Sequence, residues 1–202
     1  SWRWYKDRAP GGPLSQLAIH QFDVLHYLGG EIVEVSSMAS KLSPVGAEVD
    51  DQSMTLLRFA DGKVGYVGSC WTSPGVFSAR VFGSKGLMHY EVDFGTWDTP
   101  HKLHETSTLY IQRGKDCYGK REVIPLPESD MFRDELEMFA ASCTSGKESE
   151  LSADSGNVAV AIVGAALQSI EQQGRAVRVA DVIEAARGRL RTGGGSAGNV
   201  AD

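Results

Sequence analysis

Gln16 and His20 lie four residues apart, just after the pair Gly11-Gly12, in the stretch Gly11-Gly12-Pro13-Leu14-Ser15-Gln16-Leu17-Ala18-Ile19-His20-Gln21-Phe22-Asp23. An imidazole titrates near neutral pH and can take or give a proton there. A primary amide exchanges no proton but donates and accepts hydrogen bonds. On a helix, positions i and i+4 share one face, so both side chains can enter one pocket. Gly11 and Gly12 permit positive φ or a close approach of backbone to a ligand. For an isolated histidine on such a helix the core or capping reading would be favoured; the glycine loop and the Gln16/His20 spacing shift the reading toward a site. Asp23, one turn further on, reads as structural.

Residues 1–13 form an aromatic and basic loop. Trp2, Arg3, Trp4 and Tyr5 either line a sugar site by stacking or cap an exposed edge of the core. Other chemistries fit less well. His101-Lys102-Leu103-His104 follows Pro100, lacks a helical pattern and has no completed ligand spacing, so its histidines read as surface residues and no metal is expected. Asp50-Asp51 reads as a solvated turn. His89 on a strand and His26 on a helix read as structural or exposed. Gly193-Gly194-Gly195-Ser196-Ala197-Gly198 matches the letters of a dinucleotide fingerprint. That fingerprint needs a strand before it and a helix after it, and here a helix precedes and four residues follow. No Gly-x-Ser-x-Gly elbow is present.

The elements that would position these residues can be read from periodicity. A helix is expected over 14–28, with Leu14, Leu17, Ala18, Leu25 and Leu28 buried and Gly29 or Gly30 ending it. Ile32–Met38 reads as a strand. Ser53–Phe59 and Val64–Trp71 form a hairpin across Ala60-Asp61-Gly62, and Ala79–Phe82 pairs with Leu87–Val92 across Ser84-Lys85-Gly86. Thr108–Gln112 and Arg121–Pro125 add strands. Helices follow over Asp130–Ser142, carrying Phe132, Leu136, Phe139 and Cys143, then from Ser152 to Gly174, and over Asp181–Arg189 after a short strand at Val177–Val179. The expected class is α+β: a largely antiparallel, open-faced sheet with helices packed on one face. Residues 1–190 would form this domain and 191–202 a flexible Gly-rich tail. Val64, Tyr66, Val67, Trp71, Phe82 and Tyr90 supply apolar groups to both sheet faces, so the open face is expected to be covered by a partner.

The 202 residues suffice for one sizeable domain, and 42% hydrophobic content supports a packed core. A net charge of −6 argues against a nucleic-acid or anionic-membrane surface. No apolar run approaches the roughly 18 residues of a membrane span. Cys70, Cys117 and Cys143 are odd in number and widely spaced, which suits a reducing cytoplasm and bystander thiols.

The opening stretch, running on to Leu28-Gly29-Gly30, resembles the signature Gly-Gly-x-Leu-x-Asp-x-Gly-x-His-x-x-Asp of the glucose-fructose oxidoreductase / inositol dehydrogenase / rhizopine-catabolism (Gfo/Idh/MocA) family. Gln16 stands where the family has Asp, and Ala18 where it has Gly. Val81-Phe82-Gly83-Ser84-Lys85-Gly86-Leu87 and Gly174-Arg175-Ala176-Val177 resemble later family elements in the same order. The resemblance implies the C-terminal substrate-binding and oligomerisation domain of an NAD(P)-dependent oxidoreductase acting on a hydroxyl-bearing carbon of a sugar or polyol. NAD or NADP would be bound mainly by an N-terminal domain, expected upstream because the chain opens at Ser1-Trp2 without Met. His20 would act as acid/base or orient the hydroxyl, and Gln16 would bind it. Gly12, Arg3, Trp4 and Lys6 would complete the substrate pocket. The chain alone would be inactive, and the enzyme a homodimer or homotetramer joined through the open sheet face. The alternative is a non-catalytic ligand-binding or protein-interaction module with the same fold.

Overall fold

The computed structural model describes residues 1–44, 46–73, 75–93, 99–114, 120–149 and 151–193. Among these residues, eight strands and five α-helices make an α+β fold in which every pairing is antiparallel. The strands divide between two four-stranded sheets, where the sequence suggested one. The chain correspondingly forms two compact units: residues 1–72 with 151–202, and residues 73–150.

The first unit holds β1 (Ile32–Ser40), β2 (Gln52–Phe59), β3 (Val64–Cys70) and β8 (Val177–Arg178) in the order β3-β2-β1-β8. Three helices, α1 (Ile19–Gly29), α4 (Ala153–Glu171) and α5 (Val179–Gly193), supply the other half of its core. Side chains alternate along each strand. Val35, Leu57, Phe59 and Val67 face inward and meet Phe22 of α1 and Ile162, Ala165 and Ala166 of α4. Ser152 caps α4 by accepting the Ser155 amide, as its sequence position suggests. The core also contains polar groups. The Ser169 hydroxyl of α4 accepts the Ser37 amide at 2.8 Å and donates to the Arg175 carbonyl at 2.6 Å. Ser37 and Thr55 join their hydroxyls at 2.8 Å.

The opposite face of this sheet is exposed. Met38, Met54, Leu56, Val64 and Tyr66 stand on it, with Arg58 and Glu34 paired at 3.1 Å. Val67 points the other way and is buried. Of the other aromatics expected on this one sheet, Trp71 lies beyond the end of β3, while Phe82 and Tyr90 belong to the second sheet.

The second unit orders β4 (Val76–Gly83), β5 (Gly86–Asp93), β6 (Ser107–Arg113) and β7 (Arg121–Ile124) consecutively. His89 on β5 is buried against Tyr110 of β6, with Nδ1 2.6 Å from the phenol oxygen. A turn at Pro100–Lys102 leads into α2 (Leu103–Thr106), so the His101–His104 segment is helical where the sequence showed no pattern. Helix α3 (Met131–Ser145) starts at Asp130, whose carboxylate accepts the Arg133 amide, and ends at Gly146 in the left-handed region. Its stripe of Phe132, Leu136 and Phe139 has the expected helical spacing but stays exposed. Helix α5 runs four residues further than its periodicity suggested, to Gly193. Cys117 and most of the expected tail, 194–202, lie outside the described residues.

Candidate functional site

The glycine pair turns the chain into the first helix. Gly11 has φ 87° and Gly12 φ 50°, the left-handed region that glycine tolerates. A Cβ on Gly12 would stand 2.1 Å from the Asp50 carbonyl oxygen, so the loop and the 48–51 segment touch backbone to backbone. Ser15 closes the turn by donating its hydroxyl to the Pro10 carbonyl.

The expected helix over 14–28 is in two parts. Leu14–Ala18 is a π-helical turn, and α1 continues from Ile19 to Gly29. A π turn closes on i→i+5 bonds and widens the helix, so a four-residue spacing keeps to one face; such turns recur at functional sites. Leu14, Ala18 and Phe22, four apart, are accordingly the buried residues. Leu17 and Leu28, expected in the core on a 3.6-residue period, are exposed instead, while Leu25 is partly buried.

Gln16 sits in the middle of the π turn and is half-buried. Its Nε2 is sealed from solvent and finds no hydrogen-bond partner among the described residues. His20, at the second position of α1, is exposed, and Asp23 is half-buried. An amide donor with no acceptor and an accessible imidazole thus follow one another across the π-to-α junction. Leaving such a donor unpaired costs free energy that a bound oxygen would recover.

Arg3, Trp4 and Lys6 are exposed on and after the turn Trp2–Trp4. Glu48 pins this turn: its amide donates to the Trp4 carbonyl at 2.8 Å, and its carboxylate accepts the Lys6 amide at 3.2 Å. The stretch 48–50 therefore touches both the N-terminal turn and the glycine loop. Asp51 fixes that stretch. It is only 2% exposed, which corrects the reading of Asp50-Asp51 as a solvated turn. Its carboxylate accepts the amides of Ser43 at 2.7 Å and Leu42 at 3.2 Å, and its carbonyl accepts the Trp71 amide at 3.0 Å. Hydrogen bonding from Ser43, then from Leu42, holds this carboxyl below its ordinary pKa, against the opposing effect of burial. Sequence reasoning missed Glu48 and misread Asp51 because their partners are largely backbone amides and carbonyls, which leave no residue signature.

His101 is exposed, and His104 is half-buried with Nδ1 sealed from solvent. Among the described residues, no group of three or more His, Cys, Asp or Glu is placed to hold a metal ion. No described helix is long and apolar enough to cross a membrane.

Residues 1–89, which contain the glycine loop, the π turn, His20 and the Glu48–Asp51 brace, match the GFO/IDH/MocA C-terminal domain. Residues 1–89 thus carry that family's C-terminal domain. The chain is also similar to known proteins along most of its length. It is 28% identical over 184 residues to the myo-inositol 2-dehydrogenase of Thermotoga maritima, covering 87% of this chain and 52% of that protein. A crystal structure of a candidate NADPH-dependent oxidoreductase from Desulfitobacterium hafniense superposes with a TM-score of 0.83 at 34% identity, covering 91% of this chain and 52% of the other. Levoglucosan dehydrogenase in complex with NADH gives a TM-score of 0.71 at 22% identity over 89% of this chain and 53% of that one, a likeness of fold. The chain thus spans about half the length of these relatives.

Proposed function

We propose that this chain is the substrate-binding and oligomerisation half of an NAD(P)-dependent oxidoreductase acting on a hydroxyl-bearing carbon of a sugar, polyol or related compound. The observation that carries this reading is the buried, unpartnered Gln16 amide, four residues before the exposed His20 and directly after the glycine loop. The names of the relatives, an inositol dehydrogenase and a levoglucosan dehydrogenase with NADH, agree with a polyol substrate and a nicotinamide cofactor.

The described residues offer no strand–Gly loop–helix cradle for a dinucleotide. The Gly11-Gly12 loop is preceded by turns rather than a strand and opens onto a π turn. Holding NAD or NADP therefore falls to a separate nucleotide-binding domain. The nicotinamide, when bound, supplies the hydride acceptor. This chain's residues manage the oxygen: Gln16 donates to a substrate oxygen and fixes its position, and His20 Nδ1 or Nε2 takes the hydroxyl proton as a carbonyl forms. Gly12 shapes the pocket by holding its loop against the 48–51 segment, and Arg3, Trp4 and Lys6 line the outer part of the pocket. The exposed face of β1–β3 joins copies into a homodimer or homotetramer. A reducing cytoplasm is the compartment that fits the cysteine usage.

Two measurements test this reading together. The full-length polypeptide carrying this chain should reduce NAD or NADP in the presence of a sugar or polyol. Calorimetric titration of either dinucleotide into the 202-residue chain alone should show no micromolar binding. Micromolar binding to the isolated chain, about −8 kcal/mol, would contradict the division of labour.

A further inference from the structure

We propose that this pocket, read as above as a polyol site, selects an anionic polyol: a sugar carrying a carboxylate or a phosphate. Two independent observations point the same way. The first is the Gln16 Nε2, a sealed donor that lacks an acceptor. It asks for a ligand oxygen with a lone pair directed at it, and an anionic oxygen is the strongest such acceptor.

The second is the unpaired charge beside it. Arg3, Lys6 and Arg8 fall within the first eight residues, opposed in that stretch by Asp7 alone, in a chain whose net charge is −6. Four other arginines make ion pairs: Arg58 with Glu34, Arg113 with Glu122, Arg133 with Asp134 and Arg178 with Asp181. No ion pair engages Arg3, Lys6 or Arg8 among the described residues; Arg3 and Arg8 instead lie over the rings of Trp2 and Tyr5, at 5.4 and 5.5 Å. A guanidinium parked on a ring remains open to an incoming oxyanion and already has its orientation restricted. The carboxylate of Glu48 accepts the Lys6 amide at 3.2 Å.

Position links the two. Glu48 bonds the Trp4 carbonyl, and the Asp50 carbonyl abuts Gly12. Consecutive Cα atoms are about 3.8 Å apart, so the basic turn and the loop leading to Gln16 are tied to points separated by at most about 8 Å. The proposal places one sugar-sized ligand between the Gln16 amide and these cations. Inositol and levoglucosan, the compounds in the relatives' names, carry no charge, so this selectivity separates the present chain from them.

The test is a matched panel with the full-length polypeptide: glucuronate and gluconate, glucose 6-phosphate, and the neutral glucose and myo-inositol, each with NAD and NADP. The expected result is kcat/KM at least about tenfold higher for an anionic member than for its neutral counterpart, the size of one good charged hydrogen bond. Arg3→Gln combined with Lys6→Gln should cut that ratio by about tenfold, mainly through KM, and Gln16→Glu should invert it by placing like charges together. Turnover of the phosphate but not the carboxylates assigns the site to sugar phosphates, and the reverse assigns it to sugar acids. Equal or better turnover of the neutral compounds overturns the anionic selectivity while leaving the oxidoreductase reading in place. Turnover of no member of the panel removes both.

Discussion

Asp51 is the residue whose chemistry is most sharply defined by its surroundings. Its folded-state pKa is depressed by hydrogen bonds to the ionised carboxylate. A depressed acid stabilises the fold fully above its ordinary value, near 3.8, and loses that contribution as pH falls through the lower folded value. Asp51→Asn should therefore lower the melting temperature near neutral pH, and the gap to the parent protein should close as the pH drops below that ordinary value. A gap independent of pH across that window would show that the charge of Asp51 is not what holds residues 42 and 43. Gly12 makes a second residue-scale case. Gly12→Ala combines positive φ with a Cβ 2.1 Å from a backbone oxygen, whereas Gly62→Ala meets strain in φ but no atom within 4 Å. The first should cost more in urea denaturation by at least about 1 kcal/mol. Equal costs would mean that the 48–51 segment yields freely and does not brace the site.

Among the elements, those legible in the sequence are the ones whose signals are local. Ser152 and Asp130 announce α4 and α3 because a cap bonds amides three residues away. Asp61-Gly62 announces the β2–β3 hairpin because the turn needs φ 89° at Gly62. The π turn was not legible: the same apolar letters fit a 3.6-residue period, and only packing against α4 decides that Ala18 and Phe22, not Leu17, lie inside. The split into two sheets was invisible for the same reason, since pairing order depends on contacts distant in sequence. The candidate site was half legible. Gln16, His20 and the glycine pair could be named from spacing, whereas the Glu48–Asp51 brace could not. Ser169 carries the element-scale prediction. It is fully buried and joins α4 to β1 and to the turn at Arg175. Ser169→Ala leaves the Ser37 amide without that acceptor and should destabilise the first unit by about 1–3 kcal/mol in denaturant titration. A loss below about 0.5 kcal/mol would mean that water or a shifted strand replaces the bond.

At the scale of the whole molecule, the sheet of the first unit is covered on one face and open on the other. Met38, Met54, Leu56, Val64 and Tyr66 make the open face too apolar to be left to water at low cost. Sedimentation of the chain at micromolar concentration should report a dimer or larger species, and Leu56→Asp with Tyr66→Asp should return it to a monomer without unfolding. A monomeric parent protein would remove this face from the assembly. The central claim, that His20 manages the proton of the substrate hydroxyl beside Gln16, is tested most directly by the kinetics of His20→Ala in the full-length polypeptide. Because His20 is exposed, its removal should leave the melting temperature near that of the parent. In this folded variant kcat should fall by about 10²- to 10⁴-fold, the range for losing a general acid–base group. A folded His20→Ala variant with undiminished kcat would contradict that claim.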